Sequence, residues 1–136
     1  MDHPGSSVTN IHETLGIDIV EASRERLVGT MPVGPRVHQP LGFLHGGASV
    51  VLAESLASMG TMLYCNPETE MAMGIEINAN HLRSKQEGLV TAEAVPLHKG
   101  RTTMVWDIRI RDEVGQLICV SRCTVARVKR HPAATP

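Results

Sequence analysis

Aromatic residues are nearly absent from this chain of 136 residues, which has one Trp, one Tyr and one Phe. A surface that stacks the bases of single-stranded nucleic acid needs several, so that class of partner is excluded. Net charge is also nearly absent, at −1 with histidines neutral. The chain therefore has no global attraction to a polyanion, although a local basic cluster can still hold a few phosphates. Cysteine is scarce and odd in number: Cys65, Cys119 and Cys123, with no C-x-x-C pair. That argues against a disulfide framework or a zinc ribbon. Cys119 and Cys123 lie four apart on a predicted strand, about 13 Å, too far to bridge. All three cysteines are expected to be small apolar core residues in a reducing compartment. The opening MDHPGSSVTN has no basic region followed by an apolar run, so no signal peptide is expected. No run of about 18 apolar residues exists, so no transmembrane helix is expected either. The expectation is a cytoplasmic protein that engages neither nucleic acid nor a membrane.

What is present is a globular composition, 42% hydrophobic, in a length that suits one domain with a real core. The domain core is expected at about 14–128, with 129–136 a flexible, solvated tail and 1–7 a loose start. Residues 8–15 suggest a short helix. GIDIVEA (16–22) and RLVGTMPV (26–33) read as strands, and the proline- and glycine-bearing 34–42 as a loop. A long helix is predicted at 46–64. Period-two patterns follow at 72–83, 88–100, 102–113 and 116–128. In the first, Ile75, Ile77 and Ala79 are expected on one face, with Glu76, Asn78 and Asn80 on the other. Met104, Trp106, Ile108 and Ile110 share a face of the third, with Trp106 in the core. The sum is an α+β arrangement of one long helix and an antiparallel sheet of about five or six strands.

The helix carries the question of function. Val50, Val51, Leu52, Ala53, Leu56, Ala57 and Met59 surround it, and a helix apolar all round is normally buried all round. Either the sheet curls about it or a second subunit covers the rest. Glu54 sits in its middle, where burial of an unpaired carboxylate is costly. Glu54 is either part of a thin polar stripe with Ser55 and Ser58, or a working group. Gly46 and Gly47 at the helix start favour work. Glycine lets a ligand approach the backbone, and the first amides of a helix are unpaired donors at its positive end. That suits negative charge developing on a carbonyl oxygen. Glu54 lies about 12 Å along the axis from Gly46. One helix thus does not bring both to one atom, whereas two antiparallel copies side by side do. The geometry predicts an active site between subunits.

QPLGFLHGGASVVLAES (39–55), GIEINANHLRS (74–84) and PLHKGRTTMVW (96–106) together resemble the hotdog-fold acyl-CoA thioesterases. The likeness spans about residues 14–127. It is nearest the branch acting on 1,4-dihydroxy-2-naphthoyl-CoA, 4-hydroxybenzoyl-CoA and phenylacetyl-CoA. The resemblance implies a curved antiparallel sheet wrapped round one long central helix. It also implies a homodimer with two interface sites, paired into a tetramer as a dimer of dimers. Glu54 would then be the catalytic carboxylate, attacking the thioester carbonyl or activating a water. The Gly46 amide would hold the thioester oxygen. His45 and Gln39 would support that end, and Ser58 would stand near the nucleophile or water. His98 would line the acyl or pantetheine channel. Arg83, Lys99, Arg101 and Thr102 would meet the CoA phosphates. His81 is expected to be structural or at the surface. No cofactor is implied, since coenzyme A belongs to the substrate. The branch points to 1,4-dihydroxy-2-naphthoyl-CoA and menaquinone or phylloquinone synthesis, with phenylacetyl-, benzoyl- or medium-chain acyl-CoA and carrier-protein thioesters as alternatives.

Three other functions compete. A non-catalytic acyl-CoA binder has no use for a buried carboxylate. A metal hydrolase built on His38, His45 and Glu54 lacks any ordinary zinc spacing. A hydratase on the same scaffold would carry an Asp on the helix with a nearby His, which is not the pattern here.

Overall fold

In the computed structural model, which describes residues 10–131, the chain begins with a short helix α1, Ile11–Leu15. The Asn10 side chain accepts from the His12 and Glu13 N–H groups, and Gly16 closes α1 at φ 72°. Asn favours the start of a helix because it satisfies orphan amides, and Gly favours the left-handed stop. Strands β1 (Asp18–Ala22) and β2 (Leu27–Val33) follow, then a 3-10 turn at Pro35–Val37. The long helix α2 spans Gly46–Met62. Strands β3 (Glu70–His81), β4 (Gly88–Lys99), β5 (Thr103–Arg111) and β6 (Leu117–Lys129) complete the chain. Among the described residues no helix is long and apolar enough to cross a membrane.

The strands form one antiparallel sheet in the order β1-β2-β4-β5-β6-β3. Its inner face packs on α2. Leu52, Ala53, Leu56 and Ala57 of the helix meet Leu27, Met31, Val90, Met104, Trp106, Ile108 and Val125 of the sheet, all fully buried. The sheet therefore takes one side of the helix. Val50, Val51, Glu54, Ser55 and Ser58 on the other side stay half-exposed, and Met59 is exposed. Helix and sheet meet closely at Gly60, where a Cβ would stand 2.4 Å from the Trp106 ring and 2.7 Å from Leu27. Beside it the Trp106 indole N–H donates to Thr61 Oγ1 (3.0 Å), whose hydroxyl donates to the Ala57 carbonyl (2.9 Å). Trp106 is core, as its pattern implied. Cys65, Cys119 and Cys123 are buried free thiols.

Two expectations need correction. The register of β3 against β6 shifts between Gly74 and Glu76, a bulge. An unpaired extra residue inverts the inward–outward alternation beyond it. Ala72, Ile77 and Ala79 pack on the core, while Ile75 is turned out and is 60% exposed. Ile75 thus does not share the face of Ile77 and Ala79. The second correction concerns the tail. β6 runs through Lys129, and the Arg130 N–H donates to the Thr69 carbonyl (2.7 Å). Residues 129 and 130 are tied down by backbone bonds, and 132–136, like 1–7, lie outside the described residues.

Candidate active site

The start of α2 is built by the loop before it. The His45 N–H donates to the Val37 carbonyl (2.8 Å), and the Leu44 N–H to the Lys85 carbonyl (2.7 Å). His45 is the N-cap: its Nδ1 accepts the Gly47 N–H at 2.7 Å. That bond makes Nδ1 the acceptor and leaves the proton on Nε2, so His45 presents an outward donor. Gly47 is thereby satisfied. The Gly46 N–H has no acceptor among the described residues. It is an unpaired donor at the positive end of a 17-residue helix,.

Gln39 anchors the loop that precedes this end. Its Oε1 accepts from the Leu41 and Phe43 amides, and its backbone N–H donates to the Phe43 carbonyl (2.8 Å). With the oxygen occupied, the side-chain NH2 is the free end. Gln39, Gly46, Ser49, His81 and Arg83 line one cleft of about 360 Å³. His81 was expected at a structural or surface position; its exposed ring lies directly over Gly46. A Cβ on Gly46 would stand 2.6 Å from His81 Nε2. Ser49, one turn into the helix, is 1% exposed, and its hydroxyl has no partner among the described residues. Neither residue stood out in the sequence as part of a site. The only signal for His81 was its place in the GIEINANHLRS motif.

Glu54 and Ser58 line a different cleft, of about 400 Å³, with Ile11, His12, Val50, Val51, Ser55 and Met59. The Glu54 carboxylate rests on β3 at Gly74, where a Cβ would lie 2.5 Å from Oε2. Glycine at 74 is what lets the carboxylate occupy that place. Behind it, burial pushes the Cys123 thiol up to about 12, with the Glu54 and Glu76 carboxylates adding to the effect. Cys123 therefore stays a thiol near neutral pH and offers no nucleophile. His12, on α1, shares a 2.9 Å hydrogen bond with Ser55 Oγ, joining the short helix to the long one at this cleft.

Within one protomer, then, the Gly46 donor and the Glu54 carboxylate belong to separate clefts two turns apart on α2. The remaining predicted residues lie elsewhere again. His98, Lys99, Arg101 and Thr102 are exposed about the β4–β5 turn. Arg127 ties that turn to the far end of α2 by donating to the Gly100 and Tyr64 carbonyls. Lys99 Nζ stands 5.9 Å from the Tyr64 ring centre. One protomer thus places Arg83 at the start of α2 and the other three phosphate candidates at its end. His38, the remaining member of the metal reading, is engaged with the Gln86 carbonyl (2.7 Å).

A six-stranded antiparallel sheet packed on one long helix, with an open amide at the helix start and a carboxylate at its middle, defines a class. The chain belongs to the thioesterase superfamily, whose family model matches residues 41–119, and it has the hotdog fold and the activity of a thioester hydrolase. It is 52% identical over 120 residues to the 1,4-dihydroxy-2-naphthoyl-CoA hydrolase of Listeria monocytogenes, covering 88% of this chain and 97% of that one. To the enzyme of the same name from Escherichia coli it is 50% identical over 114 residues, 84% of this chain and 78% of that one. Among solved structures, a mutant thioesterase from Pseudomonas aeruginosa superposes with a TM-score of 0.87 at 47% identity, covering 93% of this chain and 91% of the other.

Proposed function

We propose that this chain hydrolyses an aroyl-CoA thioester, with 1,4-dihydroxy-2-naphthoyl-CoA as its preferred substrate, in sites formed between two antiparallel copies. The observation that carries the interface reading is the separation of Gly46 and Glu54 into different clefts of one protomer. An antiparallel partner helix would set its Glu54 opposite this chain's Gly46. β3 is an edge of the sheet, with a full-length side unpaired among the described residues, and a second β3 laid against it would continue the sheet. The same pairing would bring Arg83 of one copy toward Lys99, Arg101 and Thr102 of the other, a cationic rim for the CoA phosphates. The substrate reading rests on relatives about half identical along most of the chain.

In this arrangement the Gly46 N–H holds the thioester oxygen, with the His45 Nε2–H and the Gln39 NH2 as neighbouring donors. As the carbonyl carbon is attacked, charge grows on that oxygen, and a fixed donor there is worth roughly 10²–10³ in rate. Two routes suit Glu54. Its carboxylate either attacks the carbon to give an acyl-enzyme anhydride that water opens, or takes a proton from a water that attacks directly. Both end with the acid and with the sulfur leaving as CoA thiol. Ser58, one turn after Glu54, would hold the attacking water or the carboxylate. Water is the only co-reactant, so no cofactor is needed. A dimer of dimers in the cytoplasm, acting in menaquinone or phylloquinone synthesis, completes the proposal.

The test is thiol release from a panel of CoA thioesters, dihydroxynaphthoyl, benzoyl, phenylacetyl and medium-chain acyl, by wild type and Glu54→Ala. The expected result is one aroyl-CoA well above the rest, and a loss of about 10²–10⁴ in kcat for Glu54→Ala, with an unchanged or higher melting temperature. Wild-type turnover in Glu54→Ala removes the carboxylate from the mechanism. Acyl-CoA binding without cleavage by wild type makes the chain a binder or directs it to carrier-protein substrates.

A further inference from the structure

The Glu54 cleft contains a polar group that the reaction above does not use. Its walls are largely apolar, from Ile11, Val50, Val51 and Met59. Such walls suit a ring better than the amides of pantetheine or the phosphates of CoA. The thioester carbon must come within reach of Glu54, so the acyl group fills this cleft while CoA leaves it toward the cationic rim. Glu54 and Ser58 are one turn apart and mark the reacting end. His12 enters from α1, outside the long helix altogether. Its ring is fixed by the 2.9 Å hydrogen bond between Nε2 and Ser55 Oγ. The other ring nitrogen, Nδ1, has no partner among the described residues. Asn10 and Gly16 cap α1 at its two ends, and Leu15 packs against the core, so His12 stands on a defined element.

We infer that His12, held by Ser55, is a specificity residue that hydrogen-bonds a hydroxyl on the aromatic ring of the acyl group, away from the thioester. The inference rests on the proposed aroyl-CoA reading and names which aroyl groups are favoured: those with a ring oxygen. An oriented polar group in an otherwise apolar pocket discriminates strongly, because a substrate lacking the hydroxyl leaves it unpaired. Imidazole serves as donor or acceptor to a phenol, so either tautomer meets the requirement.

The experiment measures kcat/KM for two pairs of substrates that differ only in ring hydroxyls: 4-hydroxybenzoyl- against benzoyl-CoA, and 1,4-dihydroxy-2-naphthoyl- against 2-naphthoyl-CoA. Wild type is expected to favour the hydroxylated member of each pair. His12→Leu is expected to reduce that preference on the order of tenfold or more, through the hydroxylated substrate. Ser55→Ala, which frees the ring, is expected to reduce it in the same direction, and His12→Gln, which keeps a hydrogen-bonding end, to retain most of it. Melting temperatures of the variants report whether α1 remains docked. If both members of each pair change together in a folded His12→Leu enzyme, His12 only packs α1 onto α2, and the inference is wrong. If wild type shows no preference for the hydroxyl, it is also wrong, although hydrolysis of either member leaves the thioesterase reading standing. Cleavage of none of the four overturns the aroyl-CoA reading and this inference with it.

Discussion

At the scale of single residues, the site depends on what glycine leaves out. Gly74 has no part in binding or protonation, yet the Glu54 carboxylate occupies the space that its side chain would fill. Gly74→Ala should push the carboxylate off β3 while leaving the β3–β6 ladder intact. The expected outcome is a fall in kcat of tenfold or more, with KM nearly unchanged and a melting temperature within a few degrees of wild type. Steady-state kinetics beside a thermal melt would check it; a large rise in KM with kcat preserved would show that Glu54 works from some other position. Gly46 differs in kind. A Cβ there would run into the His81 ring, so any side chain at 46 would have to displace His81.

At the scale of elements, α2 does most of the organising, and its sequence made it plain. Its apolar surround and its His-Gly-Gly start placed it at 46–64, against an observed end at Met62. Strand β5 was legible for the same reason: Met104, Trp106, Ile108 and Ile110 alternate cleanly onto the core. The reading failed where a local irregularity overrode the period. The bulge after Gly74 turned Ile75 outward; a glycine inside a strand is the sign of such a bulge, and the alternation alone passed over it. Contacts between elements remote in the chain were equally hidden. Nothing in the spacing of His12 and Ser55, or of His81 and Gly46, shows that they touch. The candidate residues on α2 itself could be placed relative to one another because one helix fixes their spacing. The basic residues were legible only as candidates, since their company depends on a second chain. The fit of α2 on the sheet gives a prediction of its own. Gly60→Ala drives a methyl into Trp106 and Leu27 and should cost about 1–3 kcal/mol, read as a lower urea midpoint. A neutral result would mean that Trp106 has room to retreat despite its bond to Thr61.

At the scale of the whole molecule, the separation of Gly46 from Glu54 has a consequence that can be tested with mixed dimers. Gly46→Val and Glu54→Ala should each be inactive alone. In a hybrid, one interface site carries both lesions and the other carries neither. Unfolding and refolding the two variants together at equal amounts should restore roughly a quarter of wild-type activity, since half of the dimers are then hybrids with one intact site each. No recovery would place Gly46 and Glu54 of the same chain in one site. The outward Met73 and Ile75 near the β3 edge, 51% and 60% exposed, fit a strand whose neighbour is another copy.

The rigidity of α2 makes it a measuring rod. Glu54 follows Gly46 by eight positions, and the helix converts that count into a fixed offset and a fixed angle. A residue inserted between them would swing Glu54 by about 100° about the axis, off Gly74 and out of its cleft, with every catalytic side chain still present. In the proposed mechanism this interval cannot change by even one residue, so the length of the segment counts as much as the chemistry of its ends.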